Sequence, residues 1–168
     1  MNTHTASIQK PYYAKTVASP LGELTLVASD IGLAAVLWPD DKPGRVNLNI
    51  VAQHPEHPIL IRAGDQLRDY FGAKRTTFDL PLDFKGTDFQ KRVWEALLKI
   101  PFGETRSYGE IAREIGQPTA TRAVGSAANR NPISIIAPCH RVIGSNGDLG
   151  GYAGGLEAKK TLLRLEDQ

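Results

Sequence analysis

Sulfur is scarce in this sequence: its 168 residues hold one cysteine and one methionine. A single cysteine cannot close an intrachain disulfide, so burial alone must hold the chain together. A chain of this length can bury a core without such staples. One cysteine and four histidines, with His54 and His57 in a loop-like stretch, form no zinc-ligand spacing. No metal and no cofactor are expected. Long apolar runs are missing as well. Segments such as IGLAAVLW at 31–38 fall far short of the roughly 20 residues that cross a bilayer. The opening MNTHTASIQK lacks the apolar stretch of a secretory signal. The expectation is a cytoplasmic protein with no membrane partner. A strong charge bias is absent too. The net charge is +2, a weak argument for a nucleic-acid partner. The excess is local: residues 106–141 hold five arginines against two glutamates.

What is present divides into two textures. Residues 12–18, 22–29 and 32–38 read as three short strands, punctuated by SPLG and SDIG. Residues 39–58 are rich in Pro, Asp and Asn and read as loop. Ile59, Ala63, Leu67, Tyr70 and Phe71 recur at helical spacing before Gly72. TTFDLPLDF at 76–84 reads as extended, with Pro81 placing it at an edge or in a linker. After Gly86 the pattern turns helical. Thr87 and Gln90 form a capping-box pair, followed by Phe89, Val93, Trp94 and Leu97 on one face. Ser107 and Glu110 repeat the pair ahead of residues 108–115. Gly116 and Pro118 then break the chain, and Thr119 or Thr121 opens a second helix, TRAVGSAAN. Helix, short turn and helix make a helix-turn-helix pattern.

ISIIA at 133–137 reads as a buried strand or extended run that delivers Pro138, Cys139 and His140. Residues 144–155 hold six glycines in twelve and carry Tyr152. A last helix covers 155–165, with Leu156, Lys160, Leu162 and Leu163 toward one side. The fold class is α/β of the α+β kind. A small strand-rich domain at 1–84, with a three-stranded sheet and one helix, joins a helical domain at 87–168.

A lone cysteine is most often a small buried hydrophobe. Here Pro138 fixes the approach to the thiol, His140 and Arg141 follow it, and a glycine-rich loop lies just beyond. A thiol near a histidine can be activated as thiolate. Adjacency in sequence does not show that the two side chains touch.

The blocks FQKRVWEAL, IPFGETRSYGEIA, TRAVGSAANRNPISIIAPCHRVI and GYAGGLEAKKTLLRLE resemble, in order, those of the O6-alkylguanine-DNA alkyltransferases, also called methylated-DNA–protein-cysteine methyltransferases. The resemblance covers most of residues 87–166 and is weaker before that. It implies one-shot transfer of an alkyl group from O6-alkylguanine, and from O4-alkylthymine, in duplex DNA to Cys139, with no cofactor. His140 would be the general base, acting through a water, and Glu166 would orient it. Asn131 would brace the active-site turn, and Tyr108 would donate to guanine N3. Backbone groups of Cys139, Val142 and Ala153 would read the base, with Tyr152 as a pocket wall. The family often has serine where Ala153 stands, but alanine keeps the N–H. Arg122 would fill the gap left by a flipped nucleotide. Ala123, Gly125, Ser126 and Ala127 would press the second helix into the minor groove. Arg141 would hold the turn. A monomer in solution is expected, and contacts between copies along DNA are compatible with it. Two other classes compete. A Cys–His hydrolase would turn over esters or amides, and a DNA-binding module without chemistry would lack the thiol.

Overall fold

Short, largely buried apolar strands build a sheet near the start of the chain. The computed structural model describes residues 10–167, so all but the last residue of the opening segment read for a secretory signal lies outside the described residues. Strands β1 (Tyr12–Val17), β2 (Leu24–Ala28) and β3 (Leu33–Leu37) form an antiparallel meander. The expected loop at 39–58 contains a fourth strand, β4 (Ile50–Gln53), which pairs parallel to β1 and completes the order β3-β2-β1-β4. The three-stranded expectation is therefore corrected. All four β4 side chains are exposed, so only backbone pairing defines the strand and no alternation betrays it. Helix α1 (Pro58–Phe71) covers the sheet with Leu60, Ala63, Leu67 and Tyr70. The 76–84 stretch meets the sheet at one point, where Leu33 pairs with Leu82.

The second half is built on capped helices. Thr87 and Gln90 close a reciprocal capping box at the start of α2 (Asp88–Leu97). A two-residue strand, β5 (Arg106–Ser107), leads into α3 (Tyr108–Glu114), where Ser107 and Glu110 form the second box. Each box satisfies two otherwise orphaned N–H groups. Helix α4 (Thr121–Asn129) packs on α2 and α3. Thr121, one of the two expected positions, opens it as its first helical residue. Ala120 is the N-cap and makes no side-chain bond. The entry is instead set by backbone bonds, Ala120 N–H to the Gln117 carbonyl and Val124 N–H to the Ala120 carbonyl, each 2.9 Å.

ISIIA is buried throughout, but it is not a strand. Ile133 bridges to Val36, and the chain then turns, with the Ala137 N–H donating to the Ile133 carbonyl at 2.9 Å. Ile135 sits at φ +74°, a region a β-branched residue avoids at a cost of about 1–3 kcal/mol. Core burial on every side holds it there. A 3₁₀ turn (Cys139–Arg141) and the short β6 (Val142–Ile143), parallel to β5, follow. In α5 (Leu156–Glu166) the inward face is Ala158, Lys159, Leu162 and Glu166, whereas Leu156 and Lys160 are exposed. The expected apolar side is corrected accordingly.

One apolar core joins the two halves. Leu24, Leu26, Leu33 and Leu60 from the first pack with Ile133, Ile135, Ala137 and Leu162 from the second. Trp38 Nε1 donates to Ser134 Oγ at 3.1 Å across the same boundary. Among the described residues, no helix is long and apolar enough to cross a membrane.

Candidate active site

The turn that follows the buried ISIIA run is clamped by one side chain. Asn131 Nδ2 donates to the Ala137 carbonyl at 2.7 Å, and its Oδ1 accepts from the Ile133 N–H at 3.0 Å. A side-chain amide bonded at both ends fixes where Pro138 and Cys139 emerge. Cys139 itself is buried and free. It lines a cavity of about 270 Å³ together with Tyr108, Gly125, Asn129, Gly150 and Tyr152.

Next to the thiol stands a buried polar hub. Glu166, at the end of α5, is 3% exposed. Its Oε2 lies 2.7 Å from His140 Nε2 and accepts from Tyr70 Oη at 2.5 Å and Arg141 Nη2 at 2.9 Å. Its Oε1 accepts from Arg141 Nε at 2.7 Å. Arg141 also donates Nη1 to the Ile100 carbonyl at 2.6 Å, so this guanidinium ties the turn to α5 and to the segment that follows α2. Burial alone would raise the Glu166 pKa. The bonds from His140, Arg141 and Tyr70 outweigh it and bring the value from 4.5 to about 2.

An ionised Glu166 decides the tautomer of its partner. Nε2 of His140 must donate to the carboxylate, which leaves Nδ1 as the lone-pair nitrogen of a neutral imidazole. Nδ1 is buried and has no hydrogen-bond partner among the described residues. Burial lowers the His140 pKa, against the pull of Glu166. Burial raises that of Cys139, opposed by a hydrogen bond from Asn131 and by the charges of Arg45 and Lys159. The resting pair is thus neutral thiol and neutral imidazole, both desolvated.

The other residues singled out in the sequence fall into three groups. Tyr108, Gly125 and Tyr152 line the thiol cavity. Ser126 and Ala153 line an adjoining groove of about 430 Å³ with Lys42, Arg45 and Arg130. Arg122, Ala123 and Ser126 are exposed on the outer face of α4. Ala127 is not with them. It is 3% exposed and packs in the second core beside Val124, with its carbonyl accepting from Trp94 Nε1 at 2.8 Å. At 100° per residue, 124, 127 and 128 share the inward face of the helix. Val142 is also buried, and its carbonyl accepts from Lys159 Nζ at 2.7 Å.

Three site-forming residues escaped the sequence reading. Tyr70 looked like one more apolar position of α1. Arg45 lay in a loop, yet it donates to the carbonyls of Asn129 (3.2 Å) and Asn131 (2.9 Å) while paired to Asp41. Lys159 is fully buried, with Nζ bonded to the carbonyls of Val142 and Leu149 and set 5.9 Å from the Tyr108 ring centroid. Of these, only Lys159 left a signal, by falling three residues before Leu162 on the inward side of a helix. The glycine loop folds over this lysine. At Gly150, with φ +70°, a Cβ would come within 2.7 Å of Tyr108 Oη, so that close approach requires glycine.

Comparison with known proteins places this geometry. Residues 12–84 match the family model described as "6-O-methylguanine DNA methyltransferase, ribonuclease-like domain". Residues 88–168 match "6-O-methylguanine DNA methyltransferase, DNA binding domain". The methylated-DNA–protein-cysteine methyltransferase of Mycobacterium tuberculosis is 51% identical over 154 residues, covering 90% of each chain. That of Methanosarcina barkeri is 51% identical over 156 residues, covering 92% of this chain and 97% of its own. The crystal structure of the M. tuberculosis O6-methylguanine methyltransferase superposes with a TM-score of 0.81 at 49% identity, covering 93% of each chain. A structure of the M. tuberculosis protein in complex with DNA gives 0.80 at 48% identity, covering 94% of this chain and 92% of its own. With both halves matched in order and a lone thiol set beside a carboxylate-bound histidine, the chain belongs to the methylated-DNA–protein-cysteine methyltransferases, the DNA-binding proteins of direct-reversal alkylation repair.

Proposed function

We propose that Cys139 accepts the alkyl group of O6-alkylguanine, and of O4-alkylthymine, once per protein molecule. The single observation that carries this reading is the buried Glu166–His140 pair at 2.7 Å, with His140 in the same 3₁₀ turn as Cys139 and its Nδ1 left unbonded among the described residues. The proton of Cys139 passes through a water to His140 Nδ1, and Glu166 supports the imidazolium that results. The thiolate sulfur attacks the alkyl carbon, the S–C bond forms, and the C–O6 bond breaks with its electron pair left on the base. Guanine then takes up a proton, so thiol and alkylguanine become thioether and guanine. A thioether has no good leaving group, so the acceptor is spent. Tyr108 donates to N3 of the leaving base, where developing charge needs a donor. Backbone groups of Cys139, Val142 and Ala153 recognise its edge, and Tyr152 walls the cavity.

A buried thiol requires the damaged nucleotide to leave the duplex. The exposed face of α4 suits the minor groove, because Ala123 and Ser126 present little bulk and Arg122 stands at its opening turn. In this reading Arg122 takes the space of the flipped base. Lys42 and Arg130 beside the adjoining groove supply positive charge for phosphate. The binding unit is a monomer, and residues 87–168 form the DNA-binding and acceptor domain. The test is intact mass after mixing with a duplex that contains O6-methylguanine. The expected product is protein carrying one methyl group at Cys139, never exceeding one equivalent. Repeated turnover by one protein molecule overturns the reading.

A further inference from the structure

The donor that Glu166 receives from the first half of the chain has no place in the reaction as described so far. Tyr70 belongs to α1 and lies 96 residues away in sequence, yet its hydroxyl donates to Glu166 Oε2 at 2.5 Å. It is fully buried. Phe71, Phe78 and Phe102 surround its ring, with centroids 5.3, 5.4 and 6.2 Å away, so the hydroxyl cannot swing to another partner. Burial and the Glu166 charge raise its pKa far above the ordinary tyrosine value, which keeps it a neutral donor throughout the accessible pH range.

Tyr70 and His140 compete for one oxygen. Position is already secured by Arg141, which grips both carboxylate oxygens through Nε and Nη2. What Tyr70 adds is withdrawal of charge from the oxygen that faces the imidazole. We propose that Tyr70 is a positioning residue of the alkyl-transfer site, acting through Glu166 to moderate how strongly the carboxylate draws a proton onto His140. This rests on the Glu166–His140–Cys139 relay above.

The charged and titratable groups around the relay come from several elements. Tyr70 of α1 and Arg141 of the 3₁₀ turn face Glu166. Lys159 of α5 and Arg141 act on His140, and Tyr152 lies against its ring at 6.5 Å. Arg45, Lys159, Tyr108 and Tyr152 surround Cys139. Substituting Tyr70→Phe removes only the hydroxyl from this set. Glu166 Oε2 then bonds His140 more strongly, imidazolium is favoured, and thiolate forms at lower pH.

The experiment measures the rate of Cys139 carboxamidomethylation by iodoacetamide against pH, read by intact mass, in the full-length protein and three variants. Tyr70→Phe is expected to move the midpoint toward acid by roughly half a unit. Glu166→Gln, which removes the charge, is expected to move it toward alkali. Phe71→Leu disturbs the same aromatic cluster without touching the hydrogen bond, and is expected to lower the melting temperature with the midpoint unmoved. A Tyr70→Phe midpoint that stays put or moves toward alkali, while Glu166→Gln moves as expected, overturns the role of Tyr70 alone. An acid shift in Phe71→Leu matching that of Tyr70→Phe assigns the effect to packing and overturns it as well. An unmoved midpoint in Glu166→Gln overturns the relay, and Tyr70's role with it.

Discussion

The two halves of the molecule spend their polar residues differently. Residues 10–84 put most of theirs on the surface and bury an aliphatic sheet-and-helix core. Residues 87–167 bury a carboxylate, an imidazole, a guanidinium, an ammonium and a thiol within a few turns of chain. Yet the second half is incomplete by itself. Tyr70 supplies one bond to Glu166, and Arg45 holds the carbonyls of Asn129 and Asn131. Buried charge is tolerable only when every lone pair and proton is matched. A small helical unit could not enclose the hub on all sides, and the first half serves as its wall.

The sharpest test of this contrast is Cys139→Ser. It should abolish alkyl transfer in the proposed chemistry, because a serine hydroxyl is a poor nucleophile at saturated carbon. Binding to a methylated duplex should persist in fluorescence anisotropy. Next comes Glu166→Gln, expected to slow transfer roughly 100-fold with DNA affinity nearly unchanged. An unchanged rate would return Glu166 to a purely structural role. Arg122→Ala should slow repair in duplex by roughly tenfold, while reaction with free O6-benzylguanine is spared. Equal losses on the two substrates would reject its role at the vacated stack.

Two further tests leave transfer at neutral pH untouched. Leu26 is fully buried in the sheet core. Leu26→Ala should cost about 3 kcal/mol in denaturant unfolding without moving the pH midpoint of Cys139. A moved midpoint would mean that the first half acts on the chemistry generally, and not through its two reaching side chains. The last test is acid stability. The folded pKa of Glu166, about 2, lies below its ordinary 4.5. Its stabilisation is therefore present above 4.5 and lost as pH falls toward 2, on the order of 3 kcal/mol in all. His140 acts in the same sense. Its folded value lies below 6.5, so the unfolded chain takes the proton first and stability begins to fall as pH drops through 6.5. A stability profile flat from pH 7 to 4 would contradict the buried neutral imidazole.

Much of this was legible from local rules. The caps at Thr87 and Ser107 each need a hydroxyl and a Glu or Gln three residues on, and both pairs form. The three leading strands stand where the turn signals around them placed them. Where reading failed, the cause was a partner remote in sequence. β4 exists because β1 offers a free edge, and its own side chains carry no burial signal. ISIIA has the composition of a strand, but the Asn131 clamp and the surrounding core bend it into a turn. Ala127 and Ala123 are identical in type and differ only in which way α4 turns them against α2.

The sequence by itself determined the family, the capped helices, and the placing of a lone thiol between proline and histidine, because these depend on residue order over short spans. Only the tertiary structure decided which groups meet. It turned Lys159 and Glu166 inward, brought Tyr70 across 96 positions to a carboxylate, and buried His140 Nδ1 without a partner among the described residues. Hydrogen bonds act over about 3 Å, and such distances between remote residues are set by packing, not by spacing along the chain.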